Sequence, residues 1–307
     1  MLKNIKFYRM RLVTRLVIAF CALFYFSQAS NASPHKDPLD DVTILVTSCD
    51  KYSVLWKPFF TLLYKHFPTL KTSHQHVPIL LIANTKSYDD PRVQTIQTGR
   101  DVSWTDNMLT ALKHVKTKYV LILLEDYIFY QPVDIQALAR YVKFMSDTQG
   151  AYLQLFGASI GEPYEVDPQS VPGFDNLVYA GKHADWRTSL QACLWDVNVL
   201  TWLLKPGESA WDFEVPGSVR SEGVSRPFYR IIHNWPLNYY NAAQLGYLNS
   251  TVMDYIQSQG IELEPTTLPL DKDHRFKIWL RHLRSTLYHG YFVPLTSFLK
   301  KFLKNLF

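Results

Sequence analysis

In Tyr119-Val-Leu-Ile-Leu-Leu-Glu125-Asp126-Tyr127, six largely apolar residues run unbroken and then stop at two adjacent carboxylates. A short apolar run of this kind reads as a strand buried on both faces, as in a parallel sheet covered by helices. In open α/β sheets, ligands bind beyond the carboxyl ends of the strands. Two acids at that edge sit where a metal, a phosphate or a sugar hydroxyl is held. The plainer reading is that Glu125 and Asp126 only lead into the next helix, since acids are common in such turns.

Working outward, strands and helices alternate. Val42–Thr47 reads as a buried strand closed by Ser48-Cys49-Asp50. Leu55–Phe67 reads as an amphipathic helix ending before Pro68, and Ile79–Ile82 as a strand followed by Asn84. A short strand at Thr95–Thr98 precedes a helix over Trp104–Lys116. After Tyr119–Leu124 comes a helix over Val133–Met145. This alternation predicts an α/β fold built on a mainly parallel sheet flanked by helices. After Gly150 the pattern changes. Ala151–Phe156, Leu177–Ala180 and Leu190–Trp195 read as strands joined by long Pro/Gly-containing loops, and Val197–Leu204 as a helix. Lys205–Glu214 then reads as a loop of the kind that carries binding function.

The 307 residues suit one large α/β domain or two small ones. At 47% apolar and 15% aromatic content the chain folds rather than staying disordered. Charge is uneven. Residues 1–15 hold five basic residues and no acid, residues 271–307 carry eight basic residues against two acids, and the body between is mildly acidic. That argues against a nucleic-acid-binding body and for ends that meet an anionic surface. Cys49 and Cys193 read as buried free thiols, and no Cys/His spacing matches a zinc site.

Lys3, Lys6, Arg9, Arg11 and Arg15 precede the apolar run Leu16–Phe26, and small residues follow at Ser30 and Ala32. This is the plan of a signal peptide or, uncleaved, a signal anchor over residues 1–33. At the other end Leu295, Phe298, Leu299, Phe302, Leu303 and Leu306 form one helical face, with Lys300, Lys301 and Lys304 off it. Residues 271–307 therefore read as a basic amphipathic helical tail suited to a membrane interface, and the protein as membrane-associated.

Polar clusters fall at the predicted strand ends: Thr47, Ser48 and Asp50, then Asn84, then Glu125 and Asp126. Asp106 and Asn107 open a helix. In a parallel sheet these points share one edge, the set a nucleotide requires. Neither G-x-G-x-x-G nor a P-loop is present, which lowers the case for a dehydrogenase or P-loop ATPase.

Several segments resemble bacterial sugar transferases of lipopolysaccharide and capsule assembly. They are Ile44-Leu-Val-Thr-Ser-Cys-Asp-Lys-Tyr-Ser-Val-Leu-Trp-Lys-Pro-Phe-Phe60, Trp104-Thr-Asp-Asn-Met-Leu109, Tyr119–Tyr127, Ser189-Leu-Gln-Ala-Cys-Leu-Trp195 and Leu204-Lys-Pro-Gly-Glu-Ser-Ala-Trp-Asp-Phe-Glu214. The resemblance implies a glycosyltransferase of the A-type fold over residues 40–270, active in polysaccharide biosynthesis. Residues 40–150 would form the donor-nucleotide half and 151–270 the acceptor half. Thr47, Ser48 and Asp50 would contact the donor nucleoside, with Asn84 on the same edge, and Asp106 and Asn107 would hold the ribose or donor sugar.

Glu125 and Asp126 stand where such enzymes carry an Asp-x-Asp motif for Mn²⁺ or Mg²⁺, with Asp126 the candidate ligand. Tyr127 departs from that pattern. If the reaction inverts, an acid among Glu208, Asp212 and Glu214 would deprotonate the acceptor hydroxyl, Asp212 ahead of Glu214. Arg220, Arg226 and Arg230 are candidates for the diphosphate. The expected partners are a nucleotide-sugar donor, a glycan or lipid-linked acceptor and an anionic membrane, with no nucleic acid. Two other readings stay open. One is a nucleotidyltransferase of related fold, which would want a glycine-rich signature near the first strand. The other is an exported, non-catalytic carbohydrate-binding protein.

Overall fold

The computed structural model describes residues 37–70, 77–158, 168–244 and 246–271. The chain divides into two units at Asp37/Pro38, and the described residues from Pro38 onward belong to the second. The signal or anchor segment 1–33 and the basic tail from 272 onward lie outside the described residues. Among the described residues no helix is long and apolar enough to cross a membrane.

The second unit is built on an eight-stranded mixed sheet. In chain order its strands are β1 (Val42–Thr47), β2 (Ile79–Ala83), β3 (Val93–Gln97), β4 (Tyr119–Leu124), β6 (Tyr152–Gln154), β7 (Leu177–Tyr179), β8 (Cys193–Asp196) and β9 (Phe228–Ile231). The spatial order is β3-β2-β1-β4-β8-β6-β9-β7. The first four strands are mutually parallel, as the alternation of strand and helix predicts. β8 enters antiparallel between β4 and β6, β9 is parallel to β6, and β7 closes the edge antiparallel. Six of the eight strands thus share one direction.

β1 and β2 are buried along their whole length, and β4 at every residue but the last. Successive side chains feed two separate cores. Ile44, Val46, Leu121 and Leu123 pack with helices α1 (Trp56–His66) and α3 (Ile135–Asp147). Leu45, Val120 and Ile122 pack on the other face with α2 (Trp104–Leu112), α4 (Val197–Leu203) and α5 (Ala210–Ser221). This is the period-2 strand geometry of a sheet with two apolar faces. α3 shows the matching helical stripe, burying Leu138, Tyr141, Val142 and Met145 behind an Asp134 N-cap.

Beyond shifts of one to three residues at element ends, such as the strand read at Leu190–Trp195 and observed at Cys193–Asp196, two parts depart from the sequence reading. α2 ends at Leu112, four residues short of Lys116, as the chain tightens into turns closed by His114 N–H to Ala111 O and Val115 N–H to Leu112 O. The second half of the expected 205–214 loop is the start of α5. The Ser209 hydroxyl accepts from Asp212 N–H while the Asp212 carboxylate accepts from Ser209 N–H, a reciprocal cap that starts a helix. Pro216 and Gly217 inside that helix weaken its sequence signal. Beyond β4 the chain leaves the sheet. β5 (Tyr127–Phe129) pairs antiparallel with β10 (Tyr239–Asn241) as a separate ribbon. β11 (Ala243–Gln244) and β12 (Tyr247–Leu248) make a second small ladder before α6 (Ser250–Ser258).

Candidate active site

Register brings the predicted strand ends together. Thr47 lies opposite Leu124, so Ser48 and Cys49 adjoin Glu125 and Asp126. β8 runs the other way and Cys193 lies opposite Ile122, which puts residues 189–192 at the same edge. The two acids occupy the turn at which the chain steps from the sheet to the β5–β10 ribbon. Ala242 N–H fixes that turn by donating to the Asp126 carbonyl at 2.8 Å.

Glu125 is buried and receives a hydrogen bond from the Ser48 hydroxyl, whose oxygen also accepts from Trp56 Nε1 at 2.7 Å. Asp126 Oδ1 is buried and accepts no hydrogen bond. Among the described residues neither acid is paired with a lysine or arginine. Burial, together with the charge of Asp126, holds the Glu125 carboxyl well above its ordinary range. Burial alone raises Asp126. A desolvated acid pair without a cationic partner is relieved either by protons or by a cation. The orphaned Asp126 oxygen therefore fits a divalent metal. Among the described residues no group of three His, Cys, Asp or Glu side chains forms a complete metal cage.

Asp50 and Asn84 meet, but they spend their oxygens on the scaffold. The Asp50 carboxylate accepts from the N–H groups of Asn84 at 2.9 Å, Thr85 at 3.0 Å and Lys86 at 3.2 Å, and from the Thr85 hydroxyl at 2.6 Å. Asn84 Oδ1 accepts from Asp50 N–H at 3.1 Å. Burial pushes the Asp50 carboxyl up, but these donors outweigh it and leave it below its ordinary value. Asp50 is thus a clasp between the ends of β1 and β2 rather than a free nucleoside contact. Asn84 Nδ2 stays buried with no partner, so the amide keeps a donor.

Asp106 and Asn107 are likewise engaged by neighbouring groups. Ser103 caps α2, and its hydroxyl donates to Asp106 Oδ2 at 2.5 Å, where Gly207 N–H also arrives at 2.9 Å. Asn107 Nδ2 donates to Asp101 Oδ1 at 2.8 Å. Through these bonds both side chains stitch the start of α2 to neighbouring loops.

The three candidate bases have separate fates. Glu208 forms a two-pronged ion pair with Arg220 at 2.7 and 2.6 Å. Asp212 is exposed and its Oδ2 accepts from Ser209 N–H at 3.1 Å and Ser209 Oγ at 2.7 Å. Its carboxylate thus serves the N-terminus of α5. Glu214, two residues on, turns inward. Its Oε1 accepts from Leu190 N–H at 2.6 Å and more weakly from Ser189 Oγ at 3.4 Å. Burial pushes its carboxyl up to about 7 against these two donors. Of these two acids, Glu214 thus turns its carboxylate inward while Asp212 gives its own to the helix cap.

Arg220 also donates to Leu203 O, Arg226 pairs with Asp196 at 2.8 Å, and buried Arg230 donates to Asp185 O at 2.5 Å. All three are structural. Cys49 and Cys193 are free thiols; Cys193 is buried and Cys49 partly so.

The sequence reading missed the aromatic pair between the acids. Tyr127 and Tyr239 stack with centroids 3.8 Å apart. The Tyr127 hydroxyl donates to Leu190 O at 2.9 Å, and the Tyr239 hydroxyl meets Gln191 Oε1. The charges of Asp126 and Glu214 both reach the buried Tyr127 hydroxyl. Tyr127 was legible as the neighbour of the acid pair. Tyr239 carried no sequence signal.

No protein-family model matches this chain, and no curated protein does. Similar solved structures include enzymes of two kinds. Bifunctional IspDF from Campylobacter jejuni aligns at 11% identity and a TM-score of 0.38, covering 66% of this chain and 52% of its own. TarS residues 1–349 from S. aureus align at 10% identity and 0.39, covering 62% and 60%. Mannosyltransferase PcManGT from Pyrobaculum calidifontis, in complex with GDP-Man and Mn²⁺, aligns at 13% identity and 0.44, covering 77% and 68%. The chain thus spans between half and two thirds of the length of the first two. The similar structures thus include a mannosyltransferase and a nucleotidyl transferase.

Proposed function

We propose that this protein is a glycosyltransferase that moves a sugar from a nucleotide-sugar donor to a glycan or lipid-linked acceptor. The observation that carries the reading is the Glu125–Asp126 pair at the carboxyl edge of β4, Glu125 buried and Asp126 half-buried with a buried, unpartnered Oδ1, together with a half-buried third acid, Glu214, whose charge like that of Asp126 reaches the Tyr127 hydroxyl. Two acid environments that meet at Tyr127 suit two tasks, holding the donor and activating the acceptor.

In this reading Thr47, Ser48 and the free amide donor of Asn84 line the donor side. Glu125 and Asp126 face the sugar or the diphosphate. A divalent ion, when bound, would be held by Asp126 with donor phosphate oxygens and would offset charge on the leaving diphosphate. Glu214, ionised, takes the proton from an acceptor hydroxyl. That oxygen forms the new bond to the anomeric carbon. The bond from this carbon to the phosphate oxygen breaks, and its electron pair leaves with the nucleoside diphosphate. We further propose that residues 1–33 and 271–307 bring the enzyme to an anionic membrane, as their charge and amphipathic patterns imply.

A panel of nucleotide-sugars tests the reading by release of nucleoside diphosphate from the whole chain. Release with at least one donor supports it. Pyrophosphate release from a nucleoside triphosphate and a sugar phosphate would instead establish a nucleotidyltransferase. Glycan binding without turnover of either kind would establish the carbohydrate-binding reading.

A further inference from the structure

We propose that Tyr127 and Tyr239 are positioning residues that hold the Ser189–Gln191 segment as a strut, and that the strut sets the Glu214 carboxylate against the donor side. The proposal rests on the reading of Glu214 as the base. The Leu190 peptide carries both halves of the link. Its N–H donates to Glu214 at 2.6 Å and its carbonyl accepts from Tyr127 at 2.9 Å. One residue along, the Gln191 side chain meets the Tyr239 hydroxyl, and Ala192 N–H reaches the same hydroxyl at 3.4 Å. The two rings stack at an interplanar angle of 13°.

The two rings and the Ser189–Leu190 backbone are buried, while Gln191 and Glu214 are half-buried. Tyr127 is 3% exposed, Ser189 3%, Leu190 4% and Tyr239 4%. Buried polar groups with one geometry each do not drift independently. The far end of the strut is pinned to α5 as well. Thr188 Oγ1 donates to the Phe213 and Glu214 carbonyls at 3.1 and 3.2 Å, and Thr188 N–H donates to Ser218 Oγ at 3.1 Å. Tyr127 itself follows Asp126 directly, in the turn that Ala242 fixes. A shift of the acid-pair turn therefore passes through Tyr127 and the Leu190 peptide to Glu214. The phenol oxygens are spent on backbone and amide, so neither tyrosine is offered as a catalytic residue.

The groups facing Glu214 are few. Tyr127 approaches from β5 and Cys193 from β8, both raised by burial and so neutral near pH 7. The Leu190 N–H bond favours the ionised carboxylate. Loosening the strut weakens that bond and makes the carboxyl harder to ionise.

Tyr127→Phe keeps the stack and deletes only the hydroxyl bond. Carbon-13 labelling of glutamate side chains, with the resonance assigned through Glu214→Gln, reads the Glu214 midpoint directly. The midpoint is expected to rise by about half to one pH unit in Tyr127→Phe, the size of a weakened charge-assisted hydrogen bond. The acid limb of the pH–rate profile should move with it, while Tyr130→Phe, on the neighbouring stacked ring, leaves both unchanged. A folded Tyr127→Phe protein with the wild-type midpoint overturns the proposal. Should that variant fail to fold, Tyr239→Phe reads the strut from the Gln191 side, and an unmoved midpoint there overturns it equally. If wild-type protein turns over no donor, the functional reading fails, and the titration alone still decides the strut.

Discussion

Replacing Glu214 with glutamine removes one charge and keeps an oxygen that accepts from Leu190 N–H. The carboxyl rises from an ordinary 4.5 to about 7 on folding, mainly through burial. At ~1.4 kcal/mol per pH unit this corresponds to about 3 kcal/mol. The side chain keeps part of its surface exposed, so the realised figure is nearer to about 2 kcal/mol. The folded protein binds this proton more tightly than the unfolded chain. That stability is fully present below about pH 4.5 and is lost as the pH rises through about 7. Glutamine carries no such loss. Urea unfolding of both proteins at pH 4.5 and pH 8.5 gives the difference of differences, which cancels any fixed cost of burying an amide. Glu214→Gln should gain about 2 kcal/mol relative to wild type between the two pH values, or about 4–8 °C in melting temperature. In the same preparation transfer should fall about 10²- to 10⁴-fold, as for a lost general base. A stability difference independent of pH would refute the buried environment of this carboxyl. Undiminished transfer would refute its role as base.

Wild-type transfer should rise with pH through about 7 as Glu214 loses its proton, which a pH–rate profile on any active donor checks. Asp212→Ala should destabilise the fold by about 1 kcal/mol through loss of the α5 cap, yet leave pH-corrected turnover near wild type. Asp126→Asn should abolish donor turnover and any Mn²⁺-dependent rise in melting temperature in the presence of a nucleoside diphosphate. The same variant should be better folded than wild type above pH 7, because it removes a charge that burial disfavours. Removing residues 272–307 should weaken flotation with anionic liposomes relative to the whole chain, and equal flotation would exclude the tail as a membrane anchor.

The parallel half of the fold was legible because its strands are apolar on both faces. Val42–Thr47 and Tyr119–Leu124 carry no competing helical pattern, and each is observed with the predicted bounds. α5 was hidden because Pro216 and Gly217 mask a helix that a local Ser209–Asp212 cap starts and that burial of Phe213 anchors. The position of the acid pair was readable because adjacent acids that end a buried apolar run fall at the carboxyl edge of the sheet. What a polar residue does at a strand end was not readable. Asp50, Asp106 and Asp212 have the same chemistry as Asp126, yet each is engaged by backbone or hydroxyl donors, from distant loops at Asp50 and Asp106 and from the local Ser209 cap at Asp212. Asp126 differs in having a buried oxygen that nothing in the scaffold satisfies. Tyr239, far along the chain, reaches the site through the β5–β10 ribbon, a pairing too short to leave a sequence pattern.

The central claim is that the β4 edge holds the diphosphate of a nucleotide-sugar. Isothermal titration calorimetry of the whole chain against UDP, GDP, CDP and TDP, each with and without Mn²⁺, measures this directly. At least one should bind, and Asp126→Asn should weaken that binding tenfold or more, about 1.4 kcal/mol. Absence of binding by all four under both conditions would contradict it.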